Sequence, residues 1–464
     1  MSLTLRRAIR ISPGQSVAFV GAGGKTTAMF QLARHFSAAL VTTSTHLGAW
    51  QTGQADTHII WQANAALTGF SVPETGICLV SGPLDPNSNR YGSLNAAQLA
   101  QLHQIAKAKG LPLLIEADGS RQKPLKAPAG HEPAVPEFVD AVVVVAGLSR
   151  LGQPLNEEIV QRAERFAALS GLEMGENIST AGLAKVLNHA EGGLKNIPTR
   201  AKRIALLNQA ETSERQATAG GMADELLKHY DSVLVASLGQ EKIYAVFEPV
   251  MAVILAAGAA SRYGQPKQLL DYHGQPFVRR VAQTALAAGL SPVRVVTGAN
   301  AEAVEAAVAD LDVEIVRNAK WQEGQSSSIR AGLDPHPASP SAGHPPANST
   351  DFGRICGRAG EGAVVFLLAD QPQVTQHVLA ALKARHAEGL FPIVAPLIAD
   401  RRGNPVLFDR DTFPDLLKLT GDVGGRALFR EYAVEYVPWH DESLLLDVDN
   451  KDDYRKLLAW GVEE

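Results

Sequence analysis

Two α/β domains in tandem, each a mostly parallel sheet covered by helices on both faces, are what this chain predicts. Three observations carry that expectation. Short apolar runs of strand length alternate with segments of helical spacing, the pattern of strand-helix-strand units. The plan weakens between Leu238 and Pro249 and restarts at Val250, which sets a domain boundary near residue 245. Each half then begins with an apolar strand that runs into a glycine-rich loop followed by a lysine.

The first strand, Ser16 to Gly21, leads into Gly21, Gly23, Gly24, Lys25, Thr26 and Thr27, and helical spacing follows from about Ala28 to Phe36. In such loops, backbone N–H groups and the helix N-terminus hold phosphate, the lysine reaches the outer phosphates and a threonine hydroxyl ligates magnesium. The P-loop pattern asks for a glycine where Phe19 stands, so the match is partial and a purely structural glycine turn is the competing reading. After the stretch Leu40 to His46, further strands are expected at Gly76 to Ser81 and from Leu111, the last ending in Glu116 and Asp118 at its C-terminal edge. A magnesium ion bound to phosphate would sit at that edge; without it, Asp118 and Gly119 are simply a turn. Val139 to Ala146, Arg203 to Leu207 and Ser232 to Ala236 complete the strands of this half, and Glu157 to Leu169 carries helical spacing. Arg162 and Arg165 on that segment either meet phosphate or form a solvated face.

The second half opens at Val253 with an apolar strand, then Ala256, Ala257 and Gly258, then Arg262, Gly264 and Lys267. Glycines that let the backbone approach, followed by two cations, make a polyphosphate cradle. Helix Pro276 to Gly289, strand Val293 to Thr297, helix Ala301 to Ala309 and strand Val313 to Val316 continue the alternation. Residues 334–362 are dense in Pro, Ser, Gly and Ala and read as a mobile surface insertion, in which His336 and His344 are solvated. The strand Ala363 to Ala369 then delivers Asp370, and a second apolar segment, Leu444 to Leu446, delivers Asp447 and Asp449. One carboxylate from each segment would clamp a magnesium ion that also holds triphosphate oxygens.

Composition narrows the partners. The 464 residues are 45% hydrophobic and 20% charged, and a net charge of -5 argues against a broad nucleic-acid surface. The longest apolar runs fall short of the roughly 20 residues that span a bilayer. The opening residues lack the apolar core and small-residue cleavage site of a signal peptide, no membrane association is expected, and the sparse cysteine usage reads as a reducing cytoplasm. Cys78 and Cys356 lie far apart and outside any CxxC pattern, which gives no basis for a disulfide or a zinc site.

Two resemblances add to this reading. The Gly23-to-Thr27 loop, the threonine run at Thr42, Thr43 and Thr45, Glu116 to Ser120 and Pro124 to Pro133 resemble the YqeC-like P-loop proteins linked to selenium-dependent molybdenum hydroxylases. That likeness implies a nucleotide-dependent accessory step, with ATP or GTP at the loop, Thr26 and Asp118 near a metal, and an apo molybdenum hydroxylase as a partner. In the second half, Leu255 to Gly258, Ser261, Arg262, Gly264 to Leu270, Glu323 to Gly332, Ala369 to Pro372, Gly403 to Phe408 and Gly421 to Arg426 resemble the MobA-like nucleotidyltransferases. The likeness is greatest to the molybdenum cofactor cytidylyltransferases. It implies two Rossmann-like three-layer domains, the N-terminal one (1–245) of P-loop type and the C-terminal one (246–464) of nucleotidyltransferase, GT-A-like, type.

By the same resemblance, Ala256, Ala257, Gly258 and Ser261 line the nucleotide, while Arg262 and Lys267 hold its phosphates. Asp370 and Asp449 bind Mg2+. Gly324 to Ser328, with Ser326 and Ser327 among them, and Gly403 to Pro405, with Asn404 among them, face the acceptor, and Gly421, Asp422, Gly425 and Arg426 close over it; Asn404 stands where the family often has His. Ala257 matches the cytidylyl branch, which implies CTP as donor and molybdopterin as acceptor. Transfer to another phosphorylated acceptor, and a cofactor chaperone or insertase for molybdenum hydroxylases, are the alternatives.

Overall fold

The structure is a computed structural model that describes residues 3–62, 72–259, 264–334 and 362–460. It divides into two compact units, Met1–Phe247 and Glu248–Glu464. His336, His344 and Cys356 lie outside the described residues.

The sheet of the first unit is built from β1 (Ser16–Gly21), β2 (Ala38–Thr43), β3 (Thr57–Ile60), β4 (Gly76–Ser81), β5 (Leu113–Glu116), β6 (Ala141–Gly147), β7 (Lys202–Asn208), β8 (Ser232–Ser237) and β9 (Lys242–Phe247). Among the described residues their order is β9-β8-β7-β6-β1-β5-β2-β4-β3, parallel throughout except for β9, which runs antiparallel to β8. β9 falls where the sequence pattern weakens, because only Val246 of it is fully covered and alternation is faint. The central strands β1, β2 and β6 are almost wholly buried, which is why they read as continuous apolar runs rather than as alternating ones.

Ala18 and Val20 of β1 share one core with Leu102, Phe166, Leu183 and Leu226 from helices on that face. The helix Lys25–Ala33 packs on β1, β2 and β5. It begins at Lys25, three residues before the sequence reading, because Gly24 at φ 134° breaks from the strand and ends the loop there. The helical spacing from Glu157 is only partly realised: the helix runs Ala163–Ser170, and Val160–Gln161 pairs instead with Leu125–Lys126.

In the second unit β10 (Val250–Ala256), β11 (Val293–Thr297), β12 (Glu314–Arg317), β13 (Ala363–Leu368), β14 (Ile393–Ile398), β15 (Arg401–Arg402), β16 (Val406–Asp409) and β17 (Val434–Pro438) form one sheet. Its order is β12-β11-β10-β13-β16-β14-β15, with β17 on β14. The four strands β12, β11, β10 and β13 are parallel, and β16 runs antiparallel to both its neighbours. Successive residues of β10 enter different cores. Ala252 and Ile254 pack with Val278, Val281, Val304 and Leu379 from helices on one face. Met251 and Val253 pack with Ile329, Leu333 and Phe413 on the other. This period-two division is what makes three layers.

Candidate active site

In parallel sheets covered on both faces, ligands sit beyond the C-terminal ends of the strands. In the second unit Leu255 is in register with Leu368, so β10 and β13 release Ala257-Gly258 and Asp370 side by side. A cavity of about 620 Å³ opens there, lined by Ala256, Ala257, Gly258, Lys267, Asp370 and Asp449 together with Gln268, Trp321, Glu323, Gly324, Gln325, Ser328 and Asp422. A Cβ added to Gly258 would meet no atom within 4 Å, so it is the cavity itself that a side chain would fill.

Lys267 Nζ donates to Asp449 Oδ1 at 2.7 Å. Asp370 is the buried member of the group: burial pushes its carboxyl above the usual range, Lys267 draws it back, and Asp447 and Asp449 add to the rise. Gln371 Nε2 holds Asp447 at 2.9 Å, which turns that carboxylate into a support for the cluster. Gln268, itself buried, donates to the carbonyls of Ala256 (3.4 Å) and Gly258 (3.3 Å) and so fixes the turn from the Lys267 side. Only a tertiary contact gives Gln268 that role.

Other expected residues are placed differently. Arg262 and Ser261 lie outside the described residues. Ser326 and Ser327 are buried behind the cavity wall, Ser326 Oγ donating to Gly421 O at 2.6 Å and Ser327 Oγ to Gly324 O at 2.8 Å. Of the expected Gly324-to-Ser328 segment, Gly324, Gln325 and Ser328 line the cavity. The serines instead position Gly324, whose φ of 100° and absent Cβ let it lie against the Asp422 backbone; a Cβ there would be 2.6 Å from Asp422 N. Gly403 and Asn404 are not part of the cavity lining, and Asn404 Oδ1 accepts from Arg426 at 3.1 Å.

The first unit has a cavity of about 860 Å³ at the corresponding edge of its sheet, lined by Gly23, Gly24, Lys25, Thr26 and Thr27 and by Glu116. Gly21, Gly23 and Gly24 all have positive φ, and a Cβ at Gly21 would lie 2.2 Å from Val145 O, so this loop accepts only glycine there. Lys25 is buried and folds back, with Nζ donating to Gly21 O at 2.8 Å and standing 3.3 Å from Asp118 Oδ1, without hydrogen-bond alignment to that oxygen.

Thr26 and Asp118, both expected near a metal, have different partners. Thr26 Oγ1 donates to Glu116 Oε2 at 2.7 Å, because Glu116 ends β5 level with Phe19 of β1 and points over the helix start. Burial raises the Glu116 carboxyl above its ordinary range, with Lys25 and the Thr26 hydrogen bond opposing the rise. Asp118 is drawn the other way: its Oδ2 accepts from Gly21 N at 3.0 Å and from Lys126 Nζ at 2.8 Å, and it does not line the cavity. Lys126 also pairs with Glu132 at 2.9 Å, and Arg162 completes the chain at 3.0 Å from Glu132. Arg162 is thus an anchor for the Pro124-to-Pro133 segment, and Arg165 pairs with Glu191 at 3.2 Å. Sequence reasoning missed Asn208, Gln209, Glu211, Arg90, Arg121, Lys123 and Arg150, which also line the cavity. No local pattern marks them, since they come from four separate segments. Among the described residues no group of three His, Cys, Asp or Glu side chains gathers as a metal site, and no helix is long and apolar enough to cross a membrane.

Comparison with known proteins agrees with this division. The MobA-like NTP transferase domain matches residues 252–436 and the YqeC protein family matches residues 17–164. A relative from Paenarthrobacter nicotinovorans, nicotine blue oxidoreductase, is 32% identical over 218 residues, 45% of this chain and 96% of that one. The chain therefore belongs to the MobA-like NTP transferases, a nucleotidyltransferase family, with a YqeC domain fused ahead of the transferase domain. Uncharacterized protein YqeC of Escherichia coli (strain K12) is 28% identical over 221 residues, 46% of this chain and 83% of that protein. Among solved structures, Rv0371c from Mycobacterium tuberculosis H37Rv is similar at 30% identity and a TM-score of 0.37, covering 46% of this chain and 98% of that one.

Proposed function

We propose that the second unit transfers CMP from CTP to the terminal phosphate of molybdopterin, forming the cytosine dinucleotide cofactor and releasing pyrophosphate. The observation that carries this reading is the meeting of the Ala257-Gly258 turn, Lys267, Asp370 and Asp449 in one cavity. The acceptor is a phosphomonoester, anionic near neutral pH, so its oxygen can attack the α-phosphorus of CTP without a dedicated general base. The new bond joins acceptor oxygen to that phosphorus as the bridge to the β-phosphate breaks and pyrophosphate departs. Such transfer depends on positioning and charge neutralisation. The close approach at Gly258 admits the nucleotide, and Lys267, once drawn from Asp449, faces the phosphates.

Asp370 and Asp449 supply hard oxygen donors of the kind Mg2+ takes, and both line the cavity. When bound, the ion neutralises charge on the triphosphate. Ala257, in the position that distinguishes the cytidylyl branch, supports CTP.

The first unit, on this reading, binds a purine nucleotide at the Gly23-to-Thr27 loop, with Thr26 and Glu116 offering oxygen donors to Mg2+, and serves the maturation of a molybdenum hydroxylase. The domains are the two functional parts of one pathway, in the cytoplasm.

The test is pyrophosphate release by the purified full chain with CTP, Mg2+ and molybdopterin. Release that requires molybdopterin is expected; equal release with an unrelated sugar phosphate would reassign the acceptor. Tight molybdopterin dinucleotide binding with no CTP turnover would make the chain a carrier. Redox turnover without pyrophosphate would instead align it with the oxidoreductase named among its relatives.

A further inference from the structure

The end of the first unit's cavity farthest along the sheet, beyond β7 and β8, carries a carboxylate that the phosphate loop does not use. Asn208, the last residue of β7, is 4% exposed. Its Nδ2 donates to Gly23 O at 2.6 Å and its Oδ1 accepts from Leu238 N at 2.9 Å. One buried amide thus latches the phosphate loop to the turn that follows β8. Three residues on, Glu211 lines the same cavity, as do Leu238 and Gly239. Its Oε1 accepts from Ser237 Oγ at 3.1 Å and its Oε2 pairs with Arg215 at 3.1 Å. Gln209, between them, is held by Ser149 Oγ at 2.6 Å.

We infer that this unit selects a guanine nucleotide and that Glu211 reads the base; the inference rests on the nucleotide reading of the loop given above. An ionised carboxylate only accepts hydrogen bonds, and its two oxygens offer about four acceptor sites. Ser237 and Arg215 take one each, which leaves an adjacent pair of acceptors and fixes the orientation of the plane. Guanine presents N1–H and the 2-amino group side by side, a matching pair of donors. Adenine presents the N1 lone pair at the same place, which a carboxylate repels. The Asn208 latch makes this discrimination effective, because it ties the base-reading turn to the loop that holds the phosphates.

A site built to hydrogen-bond a group rejects the analogue lacking it far more strongly than a hydrophobic pocket does. Calorimetric titration of the full chain with GDP, ADP and xanthosine diphosphate, in Mg2+ and with excess CTP to occupy the second unit, tests the inference. GDP is expected to bind at least about tenfold more tightly than ADP, and Lys25→Ala to abolish the signal, which assigns it to the first unit. Glu211→Gln swaps one acceptor for a donor and should move the preference from GDP to xanthosine diphosphate, whose 2-oxo group replaces the amino group. A gain of that kind is not produced by a damaged fold. Equal affinity for GDP and ADP, or an unchanged preference in Glu211→Gln, overturns the guanine inference and leaves nucleotide binding standing. No Lys25-dependent binding of any of the three overturns both.

Discussion

Lys267 Nζ lies 2.7 Å from Asp449 Oδ1, a pairing 182 positions apart in the chain between the lysine proposed to hold phosphate and a carboxylate proposed to hold the metal. Each neutralises the other until a ligand separates them. Lys267→Ala is therefore expected to lower kcat/KM for nucleotidyl transfer by about 100- to 1000-fold, as loss of a preorganised charge at a reacting phosphate does. Asp449→Asn should also lower it. The two changes together should cost less than the product of the single effects, since the residues act on one another; steady-state pyrophosphate assays of the three variants decide this.

Asp370 carries a charge that burial disfavours. Asp370→Ala should reduce turnover by more than about two orders of magnitude, roughly 3 kcal/mol of barrier, and near-normal turnover would remove it from the metal role. Its stability effect has the opposite sign. A carboxyl whose folded pKa is raised binds its proton more tightly when folded, so the wild type loses stability as pH rises from the ordinary Asp value through the raised one. Asp370→Asn should lack that loss and melt higher than the wild type at pH 7, measured without Mg2+ or nucleotide.

Glu132 is the reverse case. Burial acts to raise its carboxyl, but Lys126 and Arg162 outweigh it and hold the pKa at about 2. The stability this supplies is present above the ordinary Glu value and is lost as pH falls from there towards about 2. Glu132→Gln should be less stable at pH 7 by on the order of 2 kcal/mol and should show a flatter decline in acid. Urea titrations across that pH window check both statements; an unchanged acid slope would mean the pair contributes nothing.

Gly324 combines a φ of 100° with backbone contact to Asp422. Gly324→Ala should destabilise the second unit by about 2 kcal/mol, seen as a fall in Tm of roughly 4–8 °C. Because Asp422 lines the cavity, transfer activity should fall as well. A wild-type Tm would show that the Gly421-Asp422 turn moves freely.

The strands were legible in the sequence because burial on both faces leaves runs such as Val142 to Val145 and Val364 to Leu367 without polar interruption. The glycine loops were legible too, since Gly21, Gly23 and Gly24 occupy backbone conformations that other residues avoid. The segment from Glu157 misled because helical spacing records periodicity and not partners: Val160 and Gln161 find a strand at Leu125 and Lys126. β9 was hidden by its thin burial at the sheet edge. Arg162 and Arg165, candidates for phosphate, were claimed by Glu132 and Glu191.

What the sequence by itself determined is the pair of α/β units, the loops that open them and the acidic strand ends, all of which follow from local backbone and burial rules. Only the tertiary structure decided which carboxylate serves which partner. Glu116 and Asp118 stand two residues apart on one strand edge, yet one meets Thr26 and the other Lys126, Lys25 and Gly21 N. Strand register set that choice, by placing Glu116 level with Phe19. The same holds for Asn208, which reaches Gly23 O of the glycine loop, and for Glu211, which lines the same cavity, placed there by the ends of β7 and β8 and not by anything in their sequence neighbourhood.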